Sequence, residues 1–268
     1  MLEQTLERAP AWPPALFALA EAKEKLGARG GARAAFAACL AADPGDAQGA
    51  AARLALLGED DAARGLPSAY VARLFDDYAP RFERHLTQDL AYRGPALILE
   101  TIEAAAPGRR FARSLDLGCG TGLAGEALRS RVDWLEGVDL SSAMLAKARR
   151  RALYDALGEG EIVDRLRRRA AEFDLLVAAD VLVYFGDLSA LFTAAAAALA
   201  PSGLFAFTVE THSGAGYRLQ PSLRFAHARA YVETQAAAAG LSPIIVTDAW
   251  ARREAGTEVP GLAAAFAR

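Results

Sequence analysis

From Arg113 onward, short apolar segments alternate with helix-forming stretches, and this alternation constrains the fold more than any other feature of the chain. The apolar segments are RSLDL, WLEGVDL, FDLLVAAD, GLFAFTVE and PIIVTDAW. Strands that alternate with helices form a parallel sheet with helices on both faces. The end of the chain departs from this pattern, because it predicts two strands joined by a turn near Gly256 and therefore paired antiparallel. We predict a doubly wound α/β fold with a mostly parallel, seven-stranded sheet whose last strand is antiparallel.

The first 58 residues favour helix almost throughout. PPALFALAEAKEKLG predicts a helix with Pro14 in its first turn and Gly27 at its end. GARAAFAACLAAD predicts a second helix, and DAQGAAARLALLG a third with Asp46 as its N-cap. The predicted domains are an all-helical domain at 1–58, a linker with lid-type helices at 59–110, and an α/β domain at 111–268.

Composition excludes several classes of protein. The net charge of −3 and pI of about 5.7 argue against a nucleic-acid-binding surface. We interpret the basic run from Arg165 to Arg169 as a solvated helix face. The chain has no apolar run of about 18 residues and no signal-peptide pattern at its start, so we expect no membrane partner. Cys39 and Cys119 lack metal-ligand spacing, which predicts a reduced, cytoplasmic protein without a metal site.

A cluster of small residues follows the first strand of the α/β region, in SLDLGCGTGLAGEAL at 114–128. In doubly wound sheets, ligands bind beyond the carboxyl ends of the strands, where the strand order reverses. Glycine lets a ligand approach the main chain and permits backbone angles that a side chain forbids. This turn therefore predicts a nucleotide-like ligand in contact with the backbone.

The glycine spacing also bears on which nucleotide binds. Gly120, Gly122 and Gly125 match the dinucleotide pattern G-x-G-x-x-G, but Gly125 already lies in the following helix. Asp116 places an anion at the end of the strand, which disfavours a pyrophosphate and suits a ligand with an amino group. A nicotinamide-dependent dehydrogenase is thus the weakest of the hypotheses that we considered.

A second acid, Asp139, ends the next strand about 20 residues after the glycines, in LEGVDLSSAML. An acid at this position can accept hydrogen bonds from both hydroxyls of a ribose. Leu140 and Met144 would then lie against an adenine. The alternative is that Asp139 only caps the following helix, although Ser141 could do this as well.

In this order and spacing, LDLGCGTG, GVDLSSAML and FDLLVAADVLVYFGDL resemble the class I S-adenosylmethionine-dependent methyltransferases, over residues 68–268. LFDDYAPRFERHL and YRLQPSLRFAHARAYVE are similar to segments of a narrower group, the methyltransferases with an N-terminal tetratricopeptide repeat. The first two helices resemble one such repeat, with Ala20, Ala32 and Phe36 at the family's spacing. Lys23 departs from the repeat, which usually has an aromatic residue there.

The resemblance implies roles for the cofactor residues. Gly118 and Gly120 would lie along the methionine moiety, Glu161 would meet the adenine amino group, the backbone at Ala179 would face the methionine, and Tyr78 would close over the cofactor. For Tyr78, a core aromatic at a helix junction is the alternative. The complete predicted cofactor site consists of Tyr78, Asp116, Gly118, Cys119, Gly120, Asp139, Leu140, Met144, Glu161, Ile162 and Ala179.

Methyl transfer from a sulfonium is an in-line displacement, so the protein mainly aligns the acceptor and excludes water. A hydroxyl or ammonium acceptor also needs a base to take its proton. Candidate side chains follow the fourth and fifth strands. We predict His212, Asp180 and His227 as catalytic, with substrate anchoring or helix capping as alternatives for His227. Predicted substrate contacts are Tyr184, Glu210, Tyr217, Arg224 and Tyr231.

Two hypotheses for function follow. The first is a methyltransferase that uses S-adenosylmethionine to methylate an oxygen or nitrogen of a small polar molecule. The second is a cofactor-binding assembly factor whose repeat-like helices dock a protein partner, which can itself be the methyl acceptor.

Overall fold

The structure is a computed structural model that describes residues 2–58 and 64–268. The helices are α1 Leu2–Arg8, α2 Pro13–Lys25, α3 Arg29–Ala42, α4 Ala50–Leu57, α5 Ser68–Tyr78, α6 Phe82–Gln88, α7 Gly94–Ala105, α8 Leu123–Leu128, α9 Ser142–Arg151, α10 Ile162–Arg167, α11 Ser189–Ala198 and α12 Arg229–Ala238. Single turns of 3₁₀-helix cover Arg129–Arg131 and Leu182–Tyr184. The strands are β1 Phe111–Leu117, β2 Val132–Asp139, β3 Ala156–Glu159, β4 Phe173–Ala178, β5 Leu199–Thr211, β6 Tyr217–Leu219, β7 Phe225–His227, β8 Ser242–Ala249, β9 Arg253–Glu254, β10 Thr257–Glu258 and β11 Gly261–Ala267.

The main sheet has the strand order β3-β2-β1-β4-β5-β11-β8. Strands β1 to β5 pair parallel, and β11 lies antiparallel between β5 and β8. This confirms the predicted mostly parallel sheet with an antiparallel last strand, and Gly256 lies in the turn of the small β9–β10 hairpin with a φ of +80°. Two short strands were not predicted: β7 pairs parallel with the end of β5, and β6 pairs with β7.

Successive side chains of a strand point to opposite faces of the sheet, so apolar strands build a hydrophobic core on each face. Leu115 and Leu117 of β1 belong to the core beneath α10, α11 and α12, where Phe192, Phe205 and Phe207 pack with ring centroids 4.9–6.1 Å apart. The opposite core contains Ile98 and Ile102 of α7 together with residues of β1, β2 and β4. Helix α7, which we predicted with the lid-type helices, is therefore part of the sheet packing.

The N-terminal helices form their own small core. Ala20 and Ala32 are fully buried and let α2 and α3 approach closely, and the ring of Phe36 meets that of Phe17 edge-on at 5.2 Å. The prediction of Asp46 as an N-cap is wrong in position, because Gly49 caps α4. The Asp46 carboxylate still accepts hydrogen bonds from the amides of Ala50 and Ala51, at 2.6 and 2.9 Å.

Helix α5 joins the N-terminal helices to the α/β region. A Cβ at Gly49 would lie 2.7 Å from the ring of Tyr70, so the chain before α4 packs directly on α5. On the other side, Asp76 of α5 accepts a hydrogen bond from the hydroxyl of Ser141 at 2.6 Å. The predicted linker lies partly on residues 59–63, outside the described residues, and the predicted domain boundaries remain predictions.

Candidate functional site

The turn after β1 is held close to β2 by main-chain hydrogen bonds. The amides of Gly118 and Cys119 both donate to the carbonyl of Val138, at 2.8 and 3.0 Å. The two glycines of this turn serve different purposes. At Gly118, with a φ of +67°, a Cβ would lie 2.5 Å from Val181, whereas at Gly120, with a φ of +53°, a Cβ would meet no atom within 4 Å. Gly118 thus permits close packing, and Gly120 leaves bare backbone beside open space.

Asp139, at the end of β2, connects this turn to the next one. Its carboxylate accepts hydrogen bonds from the amide of Gly120 and from the amide of Ser141, both at 2.8 Å. The helix-capping alternative for Asp139 is wrong, because Ser141 is the N-cap of α9 and its hydroxyl accepts from the amide of Met144. Burial raises the pKa of Asp139, and these backbone donors oppose that rise. Each carboxylate oxygen can accept a further hydrogen bond from a ligand.

Asp116 lies beneath the glycine turn. Its side chain is 1% exposed and accepts a hydrogen bond from the hydroxyl of Tyr154 at 2.7 Å. Burial raises the pKa of Asp116 to about 7. The Tyr154 side chain fills the space that a Cβ at Gly125 or Gly137 would need. Asp116 therefore fixes the Tyr154 ring, which packs against the turn at Gly122 and Gly125. Sequence reasoning missed Tyr154.

A cavity of about 300 Å³ opens beyond the carboxyl ends of the strands. This volume is within the usual range for small-ligand sites. The lining residues are Gly65, Leu66, Ser68, Val71, Phe75, Tyr78, Phe82, Leu86, Leu90, Tyr92, Gly118, Gly120, Asp139, Leu140, Glu161, Ile162, Ala179, Asp180, Val181, Tyr184, Phe185, Ser222, Arg224, Arg252 and Glu254. A smaller cavity adjoins it behind the glycine turn and includes Cys119.

One end of the cavity brings together residues predicted for the cofactor. Leu140, Glu161 and Ile162 line it beside Asp139. Glu161 is also the N-cap of α10, since its carboxylate accepts from the amide of Asp164 at 3.0 Å. Met144 is fully buried and is not among the residues that line the cavity, so its predicted contact with a ligand is wrong. Its position in the first turn of α9 points it into the core.

The other end is built on a buried cluster of charges. Arg224 pairs with Asp180 and with Glu210, and its guanidinium donates to the hydroxyl of Tyr184 at 3.0 Å. Arg252 pairs with Glu210 at 2.6 Å and with Glu254. Burial lowers the pKa of Arg224, but Asp180, Tyr184 and Glu210 together more than offset this effect and the pKa rises. Both arginines therefore stay charged within a network of carboxylates.

The charge cluster changes the predicted roles of its members. Asp180, Tyr184 and Arg224 line the cavity, as expected for residues near an acceptor. Asp180 is ion-paired with Arg224, and burial raises its pKa although Arg224 and Arg252 oppose the rise, so its role as a base stays a prediction. Glu210 is 6% exposed and lies behind the two arginines rather than on the cavity wall, so its predicted contact with substrate is wrong.

Both predicted catalytic histidines lie away from the cavity wall. His227 is fully buried, and its Nε2 donates to the carbonyls of Phe185 and Gly186 at 2.8 and 3.2 Å. Burial lowers the pKa of His227 to about 4, so the ring is a neutral structural element. His212 follows β5 and its Nδ1 accepts from the amide of Gly214 at 3.0 Å. The predictions of catalytic or substrate contact for these two residues are wrong for this arrangement of the chain.

The predicted substrate contacts of Tyr217 and Tyr231 are also wrong. Their rings lie 5.5 Å apart in an aromatic group that includes His227. The hydroxyl of Tyr231 accepts from the amide of Leu188 at 3.0 Å. In this region, where the unpredicted strands β6 and β7 pair at the end of β5, Arg224 lines the cavity and the two tyrosines do not.

Helices α5 and α6 cover the cavity with a mainly apolar wall. Tyr78 lines it as predicted, together with Phe75 and Phe82, which are 6.1 Å apart and edge-on. Sequence reasoning missed Arg252, which is 5% exposed and contributes to the wall from the segment before the β9–β10 hairpin. Its surroundings, ARREAGTE, are typical of a solvated turn, so no local signal distinguishes it.

Two further findings concern metals and membranes. Among the described residues, the structure contains no group of three or more His, Cys, Asp or Glu side chains that could hold a metal ion. Within residues 2–58 and 64–268, no helix combines the length and the apolar character needed to cross a membrane.

Comparisons with known proteins agree with this architecture. A family model described as a methyltransferase domain matches residues 115–203. Malonyl-[acyl-carrier protein] O-methyltransferase from Enterobacter lignolyticus (strain SCF1) is 32% identical over 138 residues, which are 52% of this chain and 52% of that protein. Ubiquinone biosynthesis O-methyltransferase from Idiomarina loihiensis is 34% identical over 101 residues, or 35% of this chain and 40% of that protein. The chain thus spans about half or less of the length of the curated relatives that it matches.

A solved structure extends the comparison to the fold. The crystal structure of Burkholderia thailandensis 1,6-didemethyltoxoflavin-N1-methyltransferase, with bound 1,6-didemethyltoxoflavin and S-adenosylhomocysteine, matches with a TM-score of 0.59 and 18% identity. The match covers 78% of this chain and 93% of that chain. At this identity the likeness concerns the fold alone. The strand order, the glycine turn and these matches lead to one conclusion: the chain contains a class I S-adenosylmethionine-dependent methyltransferase domain.

Proposed function

We propose that this protein transfers the methyl group of S-adenosylmethionine to an oxygen or nitrogen of a small polar acceptor. The observation that carries the proposal is a single cavity with bare glycine backbone and Asp139 at one end and a buried polar cluster at the other. The cofactor supplies the reactive methyl group on a sulfonium, and the protein's task is to bind, orient and exclude water.

The cofactor half would use groups that fit a nucleoside with an amino acid attached. Asp139 would accept from the two ribose hydroxyls, while Leu140 and Ile162 would cover the faces of the adenine and Glu161 would accept from its amino group. The open space beside Gly120 would take the methionine chain. Tyr78 would close over the cofactor from α5.

The charge of the cavity wall favours a cationic ligand and an acceptor without negative charge. The wall has four carboxylates and two guanidiniums, from Asp139, Glu161, Asp180 and Glu254 against Arg224 and Arg252. Because the carboxylates of Asp180, Glu210 and Glu254 already occupy both arginines, neither is available as a free anion site. We therefore propose a neutral or cationic acceptor, which would lie between Tyr184 and Tyr78, whose rings are 5.5 and 6.5 Å from the ring of Phe75.

A second candidate gives the N-terminal helices a docking role. We propose that their likeness to a tetratricopeptide repeat reflects protein binding, with the docked protein either a partner or the methyl acceptor. Supporting this candidate, the segment before α4 packs on α5, which covers the cavity. A protein bound to these helices would thus lie near the cavity.

One experiment separates the candidates. The full-length protein is incubated with S-adenosylmethionine carrying a radioactive methyl group, a small-metabolite extract and, separately, a protein extract. A small-molecule methyltransferase places label in the filterable fraction, and a protein methyltransferase places it in the acid-precipitable fraction. Tight cofactor binding with no labelled product in either extract would contradict methyl transfer and favour an assembly role.

A further inference from the structure

Tyr78 and His85 link the cavity to the surface of the protein. Tyr78 ends α5 and lines the cavity, and its hydroxyl is hydrogen-bonded to Nδ1 of His85 in α6. The His85 side chain is 42% exposed and is not part of the cavity wall. The pair is therefore a hydrogen-bonded connection between the cavity wall and solvent.

The carboxylate of Asp89 favours one direction for this hydrogen bond. It lies 3.9 Å from Nε2 of His85, beyond hydrogen-bond distance, and its negative charge favours a proton on that nitrogen. With the imidazole proton on Nε2, Nδ1 is the acceptor and the Tyr78 hydroxyl is the donor. This tautomer suits a ring that takes a proton from the cavity side and releases one on the solvent side.

The other charged groups around Tyr78 come from two directions. Arg81, in the turn before α6, holds its guanidinium 5.5 Å from the centre of the Tyr78 ring, and Arg252 acts from across the cavity. Burial raises the pKa of Tyr78, and Asp89 adds to the rise while the two arginines oppose it. The phenol is thus protonated at rest, and it can pass on a proton only while it receives another.

We propose that Tyr78 and His85 form a relay that carries the acceptor's proton out of the cavity, an inference that rests on the proposed methyl transfer. As the acceptor atom bonds to the methyl carbon, the carbon–sulfur bond breaks and its electron pair stays on sulfur. The acceptor's proton moves to the Tyr78 oxygen, and the phenol proton moves to Nδ1 of His85. The imidazolium then releases its Nε2 proton to water beside Asp89, and proton exchange of the exposed ring with water restores the starting tautomer before the next turnover. Tyr78 is a catalytic residue in this scheme and His85 a positioning and relay residue.

The test uses the full chain, radioactive S-adenosylmethionine and the small-metabolite extract as the acceptor source. General acid–base groups typically contribute about 10²–10⁴-fold. We expect Tyr78→Phe and His85→Ala each to lower turnover at least about tenfold, with the KM for S-adenosylmethionine within about twofold of the wild-type value. Added imidazole should restore turnover in His85→Ala but not in Tyr78→Phe. The control is Arg84→Ala, an exposed neighbour on α6, which should retain the wild-type rate.

The outcomes distinguish the relay from the function on which it rests. If the wild type produces labelled product and His85→Ala matches it, the relay is wrong and methyl transfer stands. The same holds if imidazole has no effect on a slow His85→Ala variant, because lost packing would not respond to a soluble base. If the wild type binds S-adenosylhomocysteine in calorimetry yet labels nothing, the proposed function fails and the relay with it.

Discussion

The two ends of the cavity are built on different principles. The cofactor end is anchored by main-chain groups around two glycines and by the carboxylate of Asp139, in the first two strands and the turns that follow them. The acceptor end consists of charged side chains from four segments of the chain, at Asp180, Glu210, Arg224 and Arg252. Main-chain groups and one carboxylate are enough to bind the cofactor. Recognition of an acceptor depends instead on the chemistry of the side chains around it. We therefore expect substitution of Asp139 at the cofactor end to weaken ligand binding, and substitution of Arg252 at the acceptor end to lower the free energy of unfolding.

The largest expected effect is at the acceptor end. Arg252→Met removes the guanidinium that lies 2.6 Å from the buried Glu210, so the carboxylate keeps only Arg224. Breaking a buried pair typically costs about 3–5 kcal/mol. Chemical denaturation should show that the free energy of unfolding of the variant is lower by this amount. The matched control is Arg253→Met, because Arg253 pairs with Glu258 at the surface and should lose at most about 1 kcal/mol. Equal losses in both variants would contradict a structural charge cluster.

At the cofactor end, binding should change more than stability. Asp139→Ala removes the proposed ribose acceptor, and two hydrogen bonds to a charged group correspond to about 3 kcal/mol, or about 100-fold in affinity. Calorimetry with S-adenosylhomocysteine measures this directly. Asp133→Ala changes an exposed acid of the same strand and should leave affinity unchanged. An Asp139→Ala protein that binds as tightly as wild type would remove Asp139 from the site.

The buried Asp116 beneath the glycine turn should make the stability of the protein depend on pH. Because the pKa of Asp116 rises from 3.8 to about 7 on folding, its stabilising contribution is complete below the unfolded-state value and is lost as pH rises through about 7. The free energy of unfolding should therefore fall by about 2.5 kcal/mol between pH 5 and 8 on account of this group. In Asp116→Asn, the free energy of unfolding, measured by denaturation at a series of pH values, should lack this fall. Parallel curves for the two proteins would show that Asp116 does not titrate in this range.

The smallest effect separates the two glycines. Gly118→Ala places a methyl 2.5 Å from Val181, whereas Gly120→Ala meets no atom within 4 Å. Both bear the strain of a positive φ, about 1–2 kcal/mol, so Gly118→Ala should be the less stable variant by about 1–2 kcal/mol more. Adding Val181→Ala to Gly118→Ala should recover part of that difference in thermal unfolding. If Gly120→Ala is the less stable variant, the packing role of Gly118 is wrong.

The same contrast explains how much could be predicted from the sequence. Gly118, Gly120 and Asp139 lie in short motifs whose geometry follows from a strand, a turn and a helix in succession, so their positions could be predicted. The parallel sheet follows from the same alternation. The prediction for Met144 was wrong because an apolar residue at the start of a helix can face either a ligand or the core, and the hydrophobic pattern does not distinguish the two.

The acceptor end could be predicted only in part, because its contacts are long-range. Asp180, Tyr184 and Arg224 line the cavity, but the second arginine that pairs with Glu210 is Arg252, 42 residues away in sequence. His212 and His227 were attractive as bases because they follow strands at the ligand side of the sheet. Strands β6 and β7 are too short to carry a period-2 signal, and β7 ends in the buried His227, which does not line the cavity.

The proposed function requires the cavity to hold S-adenosylmethionine with its sugar on Asp139 and its methyl group directed toward Tyr184 and Tyr78. A crystal structure of the protein with S-adenosylhomocysteine measures this arrangement. We expect the adenine between Leu140 and Ile162 and both ribose hydroxyls on the Asp139 carboxylate. A ligand bound elsewhere, or lying in the cavity with its ribose away from Asp139, would contradict it.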